Sequence, residues 1–308
     1  MNINELFKHR SVTACMKASY DLISAHLKDL LKKTWWAFLP QALLVAIFVY
    51  LRMPNKDLHD WGEDNPTASF IFQSIVYLLA IIAGFVAAAA IWKWVNEKPF
   101  IKNLKRFAIV AISSTFIIYA FIGIAGAIYF ASVAATGAFS PSASISSQLI
   151  VVLLGLILVI ALLALALPFA YIIPKYMLLG EGDKFKPWQS YKCGFRHAGS
   201  IFKLGFLGYL LFLCIGFIVE IPMMVLMGVQ TFSQMGVLDG DPVGVPTYFP
   251  ILFIIVTTLI LFISFYIGNW LFFAFNYLYG SIEHDEKEKL ALQQQEVNSQ
   301  MTELDTIQ

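Results

Sequence analysis

Six stretches of this chain, each 18 residues or longer, carry a single charge between them, and a chain with that pattern has few ways to fold. They are 34–51, 69–92, 107–130, 149–173, 204–227 and 250–277, and Glu220 is the only Asp, Glu, Lys, Arg or His in any of them. A bilayer core of about 30 Å is crossed by roughly 20 apolar residues in a helix. In lipid, each segment has to satisfy its own backbone polar groups, so uniformly apolar runs form helices. The strands of a membrane barrel would instead alternate polar and apolar over about ten residues. The first run opens only at Thr34, after a long polar segment, so no cleavable signal peptide is expected. The expected fold class is therefore all-α. It is a polytopic membrane helical bundle of six transmembrane helices (34–277), preceded by an amphipathic segment (1–33) and followed by an acidic tail (278–308).

Composition agrees. The chain is 59% hydrophobic and 13% charged, where soluble domains carry about 25% charged residues. That excludes disordered, collagenous and nucleic-acid-binding classes, so no nucleic-acid partner is expected. The near-zero net charge conceals a strong asymmetry. Nineteen of the 21 Lys and Arg fall in segments on one side of the predicted membrane, and only Arg52 and Lys56 fall on the other. Positive loops resist translocation, so both termini are expected in the cytoplasm. Cys15 and Cys193 fall on that side and Cys214 within a span, so no disulfide is expected.

At helical spacing, residues 11–34 place Val12, Met16, Tyr20, Ile23, Leu27 and Leu30 on one stripe, with Lys17, Lys28, Lys32 and Lys33 mostly off it. Such a helix lies in the membrane interface, and Trp35 and Trp36 follow where interfacial aromatics belong. A second helix opens at Pro187, with Trp188, Tyr191, Phe195 and Phe202 on one face and Lys192 and Arg196 on another. Ser19, Tyr20, His26 and Lys32 align with Ser190, Tyr191, His197 and Lys203, which suggests a repeat of in-plane helix, outgoing span and returning span. Lys28, Lys32, Lys33, Lys192, Arg196 and Lys203 are thus the candidate contacts to anionic lipid headgroups.

A carboxylate in a span is costly, which makes Glu220 the candidate functional residue within the membrane. Sixteen residues beyond Leu204 at 1.5 Å each, it sits about 24 Å into the core, so a structural role near the outer interface is favoured over proton or cation coupling. Cys193 and His197 stand at i and i+4, as metal ligands can. Further ligands would have to come from His9, Cys15 or His26, and a helix-surface thiol and histidine are the expected reading, so neither metal nor cofactor is expected. Gly84, Ala88, Gly123, Gly126, Gly205 and Gly208 are expected to let helices approach, and Pro40, Pro168 and Pro222 to kink them. The tail has seven acids against two lysines, with Leu290, Val297 and Leu304 seven apart. A frayed tail is expected in preference to a coiled-coil contact at under three heptads. Nucleotide-loop, zinc-protease and serine-hydrolase motifs are absent, so an enzyme is not expected.

The segment PKYMLLGEGDKFKPWQSYKCGFRHAGSIFK, residues 174–203, with Pro174, Leu178, Leu179, Glu181, Trp188 and Ser190, resembles six-span bacterial inner-membrane proteins of the YciC type. The membrane domains of some glycerophosphodiester phosphodiesterases are similar. The resemblance implies a multi-pass protein of the bacterial inner membrane, and without a soluble phosphodiesterase domain the enzyme activity does not carry over. The expected function is non-enzymatic and structural, regulatory or lipid-interacting, with anionic lipids and a membrane or cytoplasmic protein as partners. The alternative is a small-solute or ion transporter or channel with Glu220 as its coupling carboxylate.

Overall fold

In the computed structural model of the chain, the described residues are 3–53, 64–136, 144–180, 182–238, 240 and 244–307. Among them there is no strand. The helices are α1 (Ile3–Leu6), α2 (Val12–Leu51), α3 (Pro66–Asn96), α4 (Phe100–Thr136), α5 (Ile145–Ala166), α6 (Phe169–Leu178), α7 (Pro187–Arg196), α8 (Ala198–Leu238) and α9 (Phe249–Ile307). Six helical stretches are long and apolar enough to cross a membrane, α5 and α6 together making one of them. Each contains one of the six predicted spans. Their outward faces are apolar, with Phe70, Phe116, Phe130 and Ile218 each at least 68% exposed, as lipid-facing side chains are. The chain is an all-α, multi-pass membrane protein.

The helix ends follow from local chemistry. Pro66 and Pro187 occupy first-turn positions, where the missing N–H costs nothing. Ser144 caps α5 by accepting a hydrogen bond from the Ser147 N–H at 3.2 Å. Pro168 separates α5 from α6, as a proline inside a span can. Pro40 and Pro222, by contrast, lie inside continuous helices.

The chain divides into two compact units. The first comprises residues 13–104 and 205–274 with the first three residues. Here α2 and α9 run antiparallel: Tyr50 packs on Phe253, and Phe38 packs on Phe265 and Tyr266. Twelve residues of α2 match twelve or thirteen of α9 over that stretch. Below it the match fails, because Ser19 donates to the carbonyl of Trp270, and Trp270 Nε1 donates to the carbonyl of Met16 at 3.2 Å. Nineteen residues separate Phe38 from Ser19, about 28 Å of straight helix, against four residues and about 6 Å from Tyr266 to Trp270. The start of α2 therefore runs across α9, as the predicted in-plane helix would. The bend is at His26, whose φ of −121° and ψ of 15° are not helical. The Ser24 hydroxyl donates back to the carbonyls of Tyr20 and Asp21, a pattern that bends helices. The boundary expected at residue 34 thus falls eight residues earlier and inside one helix.

Within the same unit, Gly208 lies against Leu271 and Gly84 against Gln41, the close approaches expected of small residues. Gly123 and Gly126 face open space instead, so they serve no helix contact among the described residues.

The second unit comprises residues 4–12, 105–204 and 275–308. Its centre is the lower part of α9, residues 277–286, onto which α6, α7 and the N-terminal segment all pack. The start of the tail is packed, Ser281 and Ile282 each being 3% exposed, while residues 287–298 stand exposed on the same helix, which is continuous to Ile307. Partners for its acids come from distant segments, which composition of the tail alone does not reveal.

Candidate functional site

A pocket of about 520 Å³ opens in the first unit between α2 and α3, lined by His26, Asp29, Lys33, Trp36, Ala90, Lys93, Trp94 and Glu97. The spacing of 29, 33 and 36, and of 90, 93 and 94, puts each set on one helix face, with His26 at the bend of α2 and Glu97 at the C-cap of α3 completing the lining. The Trp94 indole N–H donates to Asp29 at 3.0 Å, and Lys33 pairs with the same carboxylate at 3.0 Å. His26 stands edge-on to Trp94, ring centroids 6.4 Å apart. Trp36 Nε1 donates to the carbonyl of Lys33 at 2.9 Å, and its ring packs on Phe100. Asp29 and Lys33 thus satisfy each other. Lys93 and Glu97 form no ion pair with any described residue.

The turn from α3 to α4 fixes the mouth of this pocket. The side-chain amides of Asn96 and Asn103 exchange hydrogen bonds of 2.9 and 3.0 Å, and both side chains are buried. Asn96 Oδ1 also accepts from the Lys98 N–H, and Asn103 Nδ2 donates to the Lys98 carbonyl. The clasp holds Glu97 at φ 56° and ψ 8°, the sole positive φ at a non-glycine among the described residues. Helices commonly end in this left-handed conformation, normally with glycine.

On a different face of α2, Met16, Tyr20, Ile23, Leu27 and Leu31 form one wall of an apolar groove of about 840 Å³. Leu211, Ile215, Phe262, Ile263, Tyr266, Ile267 and Trp270 form the opposite wall, and Lys17 and Ser24 are also in the lining. Four residues of the predicted apolar stripe, Met16, Tyr20, Ile23 and Leu27, thus line the groove, whereas Leu30 is buried away from it. The face that docks this helix on α9 is the small polar one, Cys15 and Ser19, both fully buried.

A separate polar cluster organises the second unit. Glu283 accepts from Tyr171 and pairs with Lys175 at 2.6 Å. One turn on, Glu286 pairs with Arg196 at 2.9 Å, His197 at 3.0 Å and Lys289 at 3.5 Å. Hydrogen bonding from His197, with the charges of Arg196 and Lys289, holds this carboxyl below its usual range. The Cys193 Sγ, His197 and Glu286 donor atoms lie within 4.8 Å of one another. Burial pushes the Cys193 thiol up. At the N-terminal segment, His9 Nδ1 meets Asp285 at 2.8 Å, which raises the His9 pKa.

The expected headgroup contacts are not gathered at one point. Lys33 lines the α2–α3 pocket. Arg196 is engaged by Glu286, and Lys192 lies over the Trp188 ring at 5.5 Å. Lys28, Lys32 and Lys203 are exposed. Glu220 is half-buried in α8 and has no hydrogen bond or ion pair with any described residue. Asp57, Asp60, Glu63, Glu181, Asp239 and Asp241 lie outside the described residues. Sequence reasoning passed over Asp29, Trp94, Glu97, Glu283 and Glu286. The only signal for the pocket was the aromatic–basic run Trp92–Lys93–Trp94 just before Glu97.

No family model, curated protein or solved structure matches the chain.

Proposed function

We propose that this is a non-enzymatic protein of the bacterial inner membrane, both termini cytoplasmic, that holds phospholipid by its headgroup at the basic end of the bundle. The observation that carries the reading is the α2–α3 pocket. It sits at the end of the apolar part of α3, where the interface begins, and joins basic side chains to two tryptophans. The apolar groove beside the start of α2 supports it: a nearly uniform hydrocarbon surface that includes Lys17 suits an acyl chain whose phosphate stays in the interface. The resemblance of residues 174–203 to YciC-type proteins is in keeping with this role.

A non-catalytic role is supported by the cysteine–histidine–carboxylate grouping of the second unit. An activated cysteine nucleophile has a lowered pKa, whereas burial raises that of Cys193. Native mass spectrometry of protein released gently from membranes tests the proposal. Bound phospholipid is expected, and it should fall when Lys33→Gln and Lys93→Gln are combined. Equal retention by wild type and the double variant would refute headgroup binding at this pocket.

A further inference from the structure

The α2–α3 pocket holds one cation and one anion that nothing else uses. Lys93 and Glu97 are four residues apart, a spacing at which opposite charges on a regular helix meet. They do not meet here, because Glu97 has left the helix for the left-handed region and carries its carboxylate off the α3 ridge. An L-residue is strained in that conformation, and glycine would occupy it without cost. The pocket's other charged pair is already committed, Asp29 to Lys33 and to the Trp94 indole. A site for a purely anionic headgroup would gain nothing from a second carboxylate at its mouth and would lose by repulsion.

We propose that this pocket binds a zwitterionic aminophospholipid headgroup, Lys93 receiving its phosphate and Glu97 its primary ammonium. This rests on the headgroup-binding reading above and adds the selectivity. A phosphate and an ammonium joined by two carbons present both charges at short range, which suits a lysine in the last turn of α3 and a glutamate at its C-cap that line one pocket. The ammonium donates hydrogen bonds to the carboxylate, and the indoles of Trp36 and Trp94 add aromatic surface that favours a cation.

The test is lipid exchange followed by native mass spectrometry on the full chain in detergent. It offers equimolar phosphatidylethanolamine, phosphatidylglycerol and phosphatidylcholine of matched acyl chains. Phosphatidylethanolamine should be retained over each of the others by about tenfold, the worth of roughly 1.4 kcal/mol. Glu97→Gln should abolish that preference with no gain in stability. Glu97→Gly should abolish it while raising the unfolding temperature, since it removes strain and charge together. A merely structural Glu97 cannot give that opposed pair. Retention of phospholipid without preference in the wild type, or a preference that survives both variants, overturns the inference while leaving headgroup binding standing. No phospholipid retained at all defeats both. Displacement of the lipid by an equal concentration of soluble phosphoethanolamine would assign the pocket to a free aminophosphate and overturn the lipid source.

Discussion

Replacing Gly280 by alanine should destabilise this protein, although the same change in most helices does the reverse. Gly280 lies in the interior of α9, where alanine is ordinarily better by up to about 1 kcal/mol. An added Cβ would, however, collide with the Leu6 carbonyl oxygen and stand 2.7 Å from its carbon. Backbone cannot swing aside as a side-chain tip can, so the whole segment 4–12 has to lift from α9. Lifting exposes Leu6, now 1% exposed, at about 2 kcal/mol. It also breaks two hydrogen bonds, from the Arg10 N–H to Ser281 Oγ at 2.9 Å and from the Ser281 hydroxyl to the Arg10 carbonyl at 3.1 Å, each about 1 kcal/mol. Loss of the Phe7–Tyr279 and Arg10–Tyr277 ring contacts adds to this. Against the propensity gain the ceiling is about 3 kcal/mol, and partial relaxation makes 1–3 kcal/mol the expected range. Thermal unfolding in detergent reads the stability, and limited proteolysis at Lys8 and Arg10 reads the undocking. Gly123→Ala, which faces open space on α4, supplies the propensity baseline. If Gly280→Ala unfolds at a temperature as high as Gly123→Ala does, the docked segment contributes nothing and the reasoning fails.

The His9–Asp285 contact should make that docking pH-dependent. His9 is raised from 6.5 by Asp285, so the contact is fully present below that value and lost as pH rises through the raised one. Hydrogen-exchange protection of residues 4–12, corrected for the intrinsic rise of exchange with pH, should therefore fall as pH rises above 6.5, and Asp285→Asn should remove that fall. Glu286→Gln should loosen α7 by releasing Arg196 and His197, so that maleimide labels the half-buried Cys193 several-fold faster; unchanged labelling would show that the ion pairs do not hold α7. The Glu286 carboxyl is lowered, so its contribution is present above 4.5 and lost as pH falls through its folded value. Acid should therefore loosen α7 as the substitution does, read by exchange protection corrected for pH, since thiol labelling slows as the thiolate is lost. Tyr266→Phe removes the 2.8 Å bond to Thr34, whose hydroxyl keeps the Leu30 carbonyl, and should cost about 0.6 kcal/mol, the mean for such bonds in membranes. A cost well above 2 kcal/mol would mean that Thr34 is left unsatisfied.

The spans were legible because a bilayer imposes one rule on every residue of a crossing helix, and uncharged runs obey it visibly. The amphipathic start of α2 was legible for a related reason, through its apolar stripe. Its docking face was not, since Cys15 and Ser19 look like surface residues until Trp270 is known to lie against them. The bend at His26 was obscured because prolines drew attention to Pro40, while a histidine has no intrinsic breaking tendency and bends here through Ser24 and its neighbours. The pocket was hidden for the same kind of reason. Glu97 reads as one more charge in a basic loop, and its left-handed backbone arises from Asn96 and Asn103, seven residues apart, closing on each other. The packing of the tail's first turns was not legible in its own composition, because Lys175, Arg196 and His9 reach Glu283, Glu286 and Asp285 from far along the chain.

Headgroup binding between α2 and α3 is tested most directly by an electron cryomicroscopy map of the protein in nanodiscs of mixed phosphatidylethanolamine and phosphatidylglycerol. Headgroup density is expected inside the pocket, its phosphate within hydrogen-bonding distance of Lys93 Nζ and its amine against Glu97. A pocket filled by solvent alone, with lipid ordered only along the outer apolar faces, would contradict the account.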